Sequence, residues 1–410
     1  MPIANAVKNA LVSSSMIRKL FEEGSELKKL HGTDKVFDFS IGNPDLEPPP
    51  AFRRVFSRLA GEDAAGASRG KHGYMPNAGF YEVREAMAKK ASADHNCTVP
   101  ASNIVMSAGA AGGLNVVFKS VLNPGDEVVV PKPYFMEYRS YVGNHGGTLV
   151  EAASLSDFDL NCGAVEKALS AKTAAVLINS PNNPTGMVYS AEDIAALAEI
   201  LRNHGKKTGR RPYLVADEPY REIVYDGITV APVLSAYEES IVVTSYSKSL
   251  SLPGERIGYI AAGPEIGDRE DLLGALIYAT RVLGFVNAPA LMQRMAAELT
   301  GERVDVEIYK RRRDAFKEVL DKAGIAYADP EGAFYLFVKV PFQNSKGSTE
   351  SQPVADDRAF SGCLKKHLIL GVPGSSFAAP GWIRFAYCVD EKVIRASAAA
   401  FKEAVDEWMS

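Results

Sequence analysis

Between residues 104 and 261 the chain repeats one pattern: a short apolar run, a cluster of turn-forming residues, and, between most runs, a segment long enough for a helix. The runs are Ile104–Met106, Val128–Val130, Ala174–Ile178, Tyr213–Ala216, Ile241–Val243 and Ile257–Ala261. Runs without polar alternation suit strands covered on both faces. Intervening segments such as Gly113–Leu122 and Ala191–Arg202 are long enough to bring the chain back for parallel pairing. The pattern predicts an α/β domain with a mostly parallel sheet of the seven-stranded type, flanked by helices.

The flanks read differently. Residues 16–30 place Ile17, Leu20, Phe21, Leu27 and Leu30 near helical spacing, and Val36–Ser40 is a short strand-like run. After Asp271 a helical pattern runs with interruptions to Ala323. Gly332–Val338 and Trp382–Cys388 then read as strands, and Glu391–Trp408 as a final helix. This tail predicts a smaller α+β domain that also takes in the first residues. The expected division is 48–292 for the large domain, and 1–47 with 293–410 for the small one. Gly61–Lys71 and Gln343–Pro353 read as loops, and the basic cluster Lys206–Arg211 as a solvated turn.

Composition narrows the function. Lys and Arg total 46 against 50 Asp and Glu, which argues against a nucleic-acid binder or a polybasic membrane-surface protein. No apolar run reaches the length of a transmembrane span, and Met1–Leu20 lacks the apolar core of a secretory signal. Cys97, Cys162, Cys363 and Cys388 have neither metal nor disulfide spacing, so a cytoplasmic protein without a metal centre is expected.

In an open α/β sheet, ligands lie beyond the carboxyl ends of the strands, and here those ends carry unusual residues. Ser107–Leu114 is a small-residue turn into a helix: either a tight structural turn or a phosphate cradle of backbone N–H groups at Gly109, Ala110 and Ala111. Phe135 is either an ordinary half-buried aromatic or a stacking surface for a planar ligand. Asn179–Gly186 is dense in turn formers and presents Asn183 rigidly. Asp217, at the end of a buried strand, needs a partner, either a structural arginine or a protonated ring nitrogen, and Tyr220 is near enough in sequence to serve the same ligand. Lys248 is either a solvated charge or a desolvated amine nucleophile; Ser245, Ser247 and Arg256 beside it suit a phosphate dianion. The combination describes a site for pyridoxal 5′-phosphate (PLP).

With these segments, and with Ile41–Asp45, Tyr74–Gly79, Arg84, Asn123–Val128, Gly332–Tyr335, Pro373–Phe377 and Arg384, the chain resembles the class I/II aminotransferases, the aspartate aminotransferase-like branch of fold-type I PLP enzymes. The resemblance implies that Lys248 forms the Schiff base with the cofactor and shuttles the substrate's α-proton. It implies Asp217 at the pyridine nitrogen, Asn183 and Tyr220 at the phenolic oxygen, and Phe135 against the ring. The phosphate falls to Gly109, Ala110, Ala111, Ser245, Ser247 and Arg256, with Tyr74 reaching the neighbouring subunit of a homodimer. Arg384 would grip the substrate α-carboxylate, with Asn183 and the Gly42 backbone beside it. The implied reaction moves an amino group between an L-amino acid, of aspartate type, and a 2-oxo acid in ping-pong fashion.

The chain departs from some bacterial relatives at Ala111, where they carry a lysine for a distal carboxylate; Arg18 and Arg281 are alternative cations. A β-lyase of the same fold would share nearly all these residues. A regulator built on the same fold usually carries a DNA-binding region ahead of it, and no helix-turn-helix pattern occurs before the first strand. A nucleotide-binding module lacks its phosphate lysine in the glycine-rich turn.

Overall fold

The computed structural model describes residues 3–4, 7–8, 15–67, 69–342 and 356–410. Its main sheet has seven strands, in the spatial order Ile104–Ser107, Gly258–Ala262, Ser240–Ser245, Tyr213–Asp217, Thr173–Asn179, Glu127–Lys132 and Thr148–Ala153. All neighbours pair in parallel except Gly258–Ala262, which runs against both of its partners. Successive residues point to opposite faces, and both faces are filled. Met106, Val176, Ala216 and Val242 pack into one core layer, while Val105, Leu177, Val215 and Val243 pack into the other. Double burial is why these strands read as unbroken apolar runs.

The expected mixture of helix and mostly parallel sheet is present, with corrections at the margins. Thr148–Ala153 is an additional edge strand; Thr148, Glu151 and Ala153 face outward, so no apolar run marks it. The helix expected from Gly113 begins at Gly109, because Gly109 takes φ +73° and turns the chain into it. The stretch from Gly61 is helical through Ala64 before it turns. The basic cluster is the end of the helix Ala191–Thr208, closed by Gly209 at φ +76°. Beyond it Arg210 grips Asp126 with two bonds of 2.8 Å, holding that carboxyl down at about 2. The expected final helix is two, Glu391–Ala396 and Ala398–Met409. Residues 343–353, read as a loop, lie outside the described residues.

A second core lies beside the first. The antiparallel strands Tyr335–Lys339 and Trp382–Ala386, with short strands at their edges, pack on the helix Val306–Ala323 and the C-terminal helices. Phe39 sits among Phe316, Phe385 and Phe401, so the N-terminal segment is built into this core. We propose the division into 48–292 and the two flanking segments as domains. The helix Ala290–Glu298 buries Met292, Met295 and Ala296 against the large core, which favours setting the second boundary after that helix.

Gly258 shows how tightly the antiparallel strand is fitted: a Cβ there would run into the Thr244 carbonyl oxygen and stand 3.1 Å from Ser245 Cα. Gly274, on a helix, has open space in the same position. Gly258→Ala is expected to cost about 1–3 kcal/mol by overpacking and to lower the thermal midpoint. Gly274→Ala should leave it level or raise it. Equal midpoints for the two variants would contradict this packing.

Candidate active site

The parallel strands all point their carboxyl ends the same way, so the loops that follow them meet. They enclose a cavity of about 310 Å³. Its wall includes Gly42, Ala110, Ala111, Phe135, Asn183, Asp217, Tyr220, Ser245, Ser247, Lys248, Arg256 and Arg384. Of the residues singled out from sequence, Gly109 stands just behind the wall: a Cβ on it would press into the Arg256 guanidinium, 2.7 Å from Nη2. Tyr74 is not brought to this cavity; it is 94% exposed on a turn.

At one end the helix Gly109–Val121 begins without a side-chain cap, leaving the first backbone N–H groups, Ala110 and Ala111 included, without a capping acceptor. The buried hydroxyls of Ser245 and Ser247 and the guanidinium of Arg256 converge on the same cavity. Arg256 holds φ +51°, an uncommon conformation for a bulky residue, and hydrogen-bonds the Pro253 carbonyl at 3.0 Å. Hydroxyls, a cation and a bare helix N-terminus make an anion cradle.

Asp217 ends its strand facing the cavity. Its Oδ2 accepts from Tyr138 at 2.5 Å; its Oδ1 is buried without a partner. Burial pushes this carboxyl up to about 7, against the pull of the Tyr138 bond and with a further push from Glu218. Glu218, the next residue, turns away to Arg221 (2.9 Å) and His95 (3.4 Å), which outweigh its burial and keep its carboxyl low. Asn179 braces the turn, donating to the Asp217 carbonyl at 2.8 Å and accepting from the Asn183 amide at 2.7 Å.

Lys248 donates to the Gly42 carbonyl at 2.9 Å and lies 5.4 Å from the centre of the Phe334 ring. Among the described residues no carboxylate pairs with it. Burial brings its ammonium down to about 8; Cys388 opposes that shift, and Arg384 and Arg256 add to it. Gly42 is required there, because a Cβ would collide with the Tyr335 ring, 2.8 Å from its Cε1. Arg384 lies between the rings of Tyr335 (4.6 Å) and Phe377 (4.8 Å). It donates to Asn183 Oδ1 at 3.0 Å and to the Ser40 carbonyl at 2.8 Å, while its buried Nε has no partner. A buried guanidinium with no carboxylate among the described residues is suited to an incoming one.

Several wall residues were not singled out from sequence. Tyr138 and Tyr141 project from one turn of the helix Glu137–Gly143, three positions apart, and Glu137 opens that helix. Tyr335 shares a 2.8 Å hydrogen bond with Tyr220. Tyr335 ends a segment noted for the family resemblance, and Glu137 and Tyr138 follow closely on Phe135; the helical spacing of 138 and 141 was the available signal for Tyr141. Arg281 is exposed on the helix Arg269–Val282 and is not on the cavity wall, and the Arg18 side chain lies outside the described residues.

Three comparisons place this geometry. The family model "Aminotransferase class I and II" matches residues 34–401. The chain is 32% identical to a probable aspartate/prephenate aminotransferase of Aquifex aeolicus, with 91% of each chain covered, and 31% identical to the aspartate/prephenate aminotransferase of Thermus thermophilus, with 92% of each covered. Among solved structures it resembles an amino transferase from Eubacterium rectale at TM-score 0.92 and 38% identity over the whole of both chains. It also resembles the Thermus thermophilus aspartate aminotransferase with maleate, at TM-score 0.82 and 28% identity over 95% of this chain and 96% of that one.

The burial of Lys248 has a measurable result. In cofactor-free protein its acylation by acetic anhydride should rise with pH around a midpoint near 8, since only the neutral amine reacts. Solvent-exposed lysines should titrate near ~10.4. Peptide mapping across a pH series reads both; an ordinary midpoint at Lys248 would contradict its desolvation.

Proposed function

The chain belongs to the class I and II aminotransferases, and on that premise we propose that it binds PLP and moves an amino group between an L-amino acid and a 2-oxo acid in two half-reactions. The carrying observation is the orphaned Asp217 Oδ1, a buried carboxylate oxygen in the wall of the same cavity as an unpaired lysine. A cationic ring nitrogen at that oxygen would remove the cost of its burial. The residues present therefore fit the cofactor. Asp217 would hold its ring nitrogen, Asn183 and Tyr220 its phenolic oxygen, and Phe135 its face. Its phosphate would take the cradle of Gly109, Ala110, Ala111, Ser245, Ser247 and Arg256. When bound, PLP supplies an aldehyde that condenses with amines, that of Lys248 included, and a ring that draws off the electron pair left at a substrate's α-carbon.

The remaining work falls to the chain. Arg384 binds the substrate α-carboxylate through its fork, held flat between two rings so that little side-chain freedom is lost on binding. Lys248 Nζ takes up the proton leaving the α-carbon and would hand it on to the cofactor's C4′ carbon, and the reverse half-reaction runs the same transfer backwards. An amine lowered to about 8 is suited to both directions near neutral pH. Tyr335 orients Tyr220 through their shared bond.

Elimination would call on the same residues, but the relatives' names favour transfer. Those names also make an aspartate-type donor the first to test. A cytoplasmic homodimer is our reading of the assembly. It is supported by four free cysteines and by the exposure of Tyr74, which is absent from the cavity wall of its own copy. No helix among the described residues is long and apolar enough to cross a membrane.

Borohydride reduction of the PLP-loaded protein should fix the cofactor to the peptide containing Lys248; a clean peptide from saturated protein would overturn the reading. Lys248→Ala is expected to lower amino transfer by at least about a thousandfold. Arg384→Ala should keep the cofactor's visible absorbance and lower kcat/KM for amino acids about 10- to 100-fold, mainly through KM. Unchanged KM for every amino acid would remove Arg384 from the site.

A further inference from the structure

The mechanism leaves one charged group of the cavity wall without a role. Glu137 lines the cavity at the start of a short helix, on the far side of Phe135 from the strand end. Its Oε2 is buried and has no hydrogen-bond partner, and the carboxyl's other bond is to its own backbone N–H. Arg384 is near enough for its charge to be felt, yet among the described residues no ion pair joins the two. Glu137 and Arg384 stand as separate, unpaired groups on the wall of one cavity, and the Glu137 carboxyl keeps a free acceptor oxygen. That separation suits a substrate bound by both ends.

Among the described residues the rest of the wall offers no competing anchor. The cations lining the cavity are Lys248, Arg256 and Arg384, each already engaged in the proposed chemistry or the anion cradle, and Ala111 adds none. A second carboxylate on the substrate would find no further cation among the described residues of the wall and would face Glu137 at close quarters. Like charges at such close quarters repel strongly. An amide or ammonium would instead satisfy the orphaned oxygen.

We infer that Glu137 selects substrates by the far end of their side chain, accepting a hydrogen-bond donor there and opposing a second carboxylate. The inference rests on the aminotransferase reading for the placement of the α-carboxylate at Arg384, and it deepens that reading by naming the substrate class: amino acids ending in an amide or ammonium. An aspartate-type donor is then used against an electrostatic penalty located in one residue.

Two unreactive ligands separate the effects. Succinate and succinamate differ only in carrying a carboxylate or an amide at one end. Calorimetry on the PLP-loaded enzyme at pH 8 should find succinamate bound about tenfold more tightly or better. In Glu137→Gln the preference should vanish, with succinate gaining most of the difference; Glu137→Ala should also bring the two ligands together. In amino transfer, the ratio of kcat/KM for L-asparagine over L-aspartate should fall by a similar factor in Glu137→Gln, with L-alanine changed less than about twofold as a measure of intact machinery. Equal binding of the two ligands by the unaltered enzyme, or a preference that survives both substitutions, would overturn the inference. If no amino acid is transaminated at all, the aminotransferase reading fails by itself, and the two binding constants still test Glu137.

Discussion

Unpaired charge is the constraint around which this molecule is organised. Asp217, Lys248 and Arg384 border one cavity, and among the described residues none has an opposite charge as its partner. Removing such groups from water costs several kcal/mol each unless something compensates. What the protein supplies is partial: a phenol for Asp217, a carbonyl for Lys248, an amide and a carbonyl for Arg384. In the function we propose, the cofactor would supply the cation for Asp217 and the electrophile for Lys248, and the substrate the carboxylate for Arg384. Three apolar clusters carry the cost in the meantime, one on each side of the main sheet and another under the smaller one.

The topology explains how groups so far apart in sequence come to share one space. Parallel strands return through helices, so each strand delivers its last residue to the same edge. Asn179, Asp217 and Ser245 arrive there on three adjacent strands. The smaller sheet contributes Tyr335 and Arg384, and the N-terminal segment contributes the Gly42 carbonyl. Arg384 and the lysine's acceptor thus belong to parts of the chain that pack around Phe39, outside the parallel sheet. Movement between the two cores would alter the cavity at the Arg384 side first.

Where a strand is buried on both faces its sequence announces it, and six of the seven main strands did so. Thr148–Ala153 stayed hidden because half its side chains meet water and include Thr148 and Glu151. The site was legible for a related reason: a lysine, an aspartate or a run of prolines and asparagines is out of place at the end of a buried strand. Side chains that reach the cavity from ordinary contexts gave no such contrast. Tyr138 and Tyr335 resemble any core aromatics until the partners at 2.5 and 2.8 Å are seen. Glu137 resembles any helix-opening acid until its oxygen is found without a partner. Of the two adjacent acids the sequence reading singled out Asp217, and in the structure Glu218 turns instead to Arg221 and His95.

The phase of the strand Tyr213–Asp217 carries a cost of error that stability alone would not reveal. Leu214, Val215 and Ala216 are apolar and both sides of their strand are greasy, so sliding it by one step would trade one acceptable packing for another. The polar clasps at its tip set the alignment instead: Asn179 on the Asp217 carbonyl and Thr244 on the Glu218 carbonyl, at 2.8 and 3.0 Å. A slip of one residue would exchange the strand's two neighbouring acids, turning Glu218 toward the cavity and Asp217 away. Asn179 ties the tip of this strand to the turn that carries Asn183, so the facing of Asp217 and the shape of that turn are held together by one side chain.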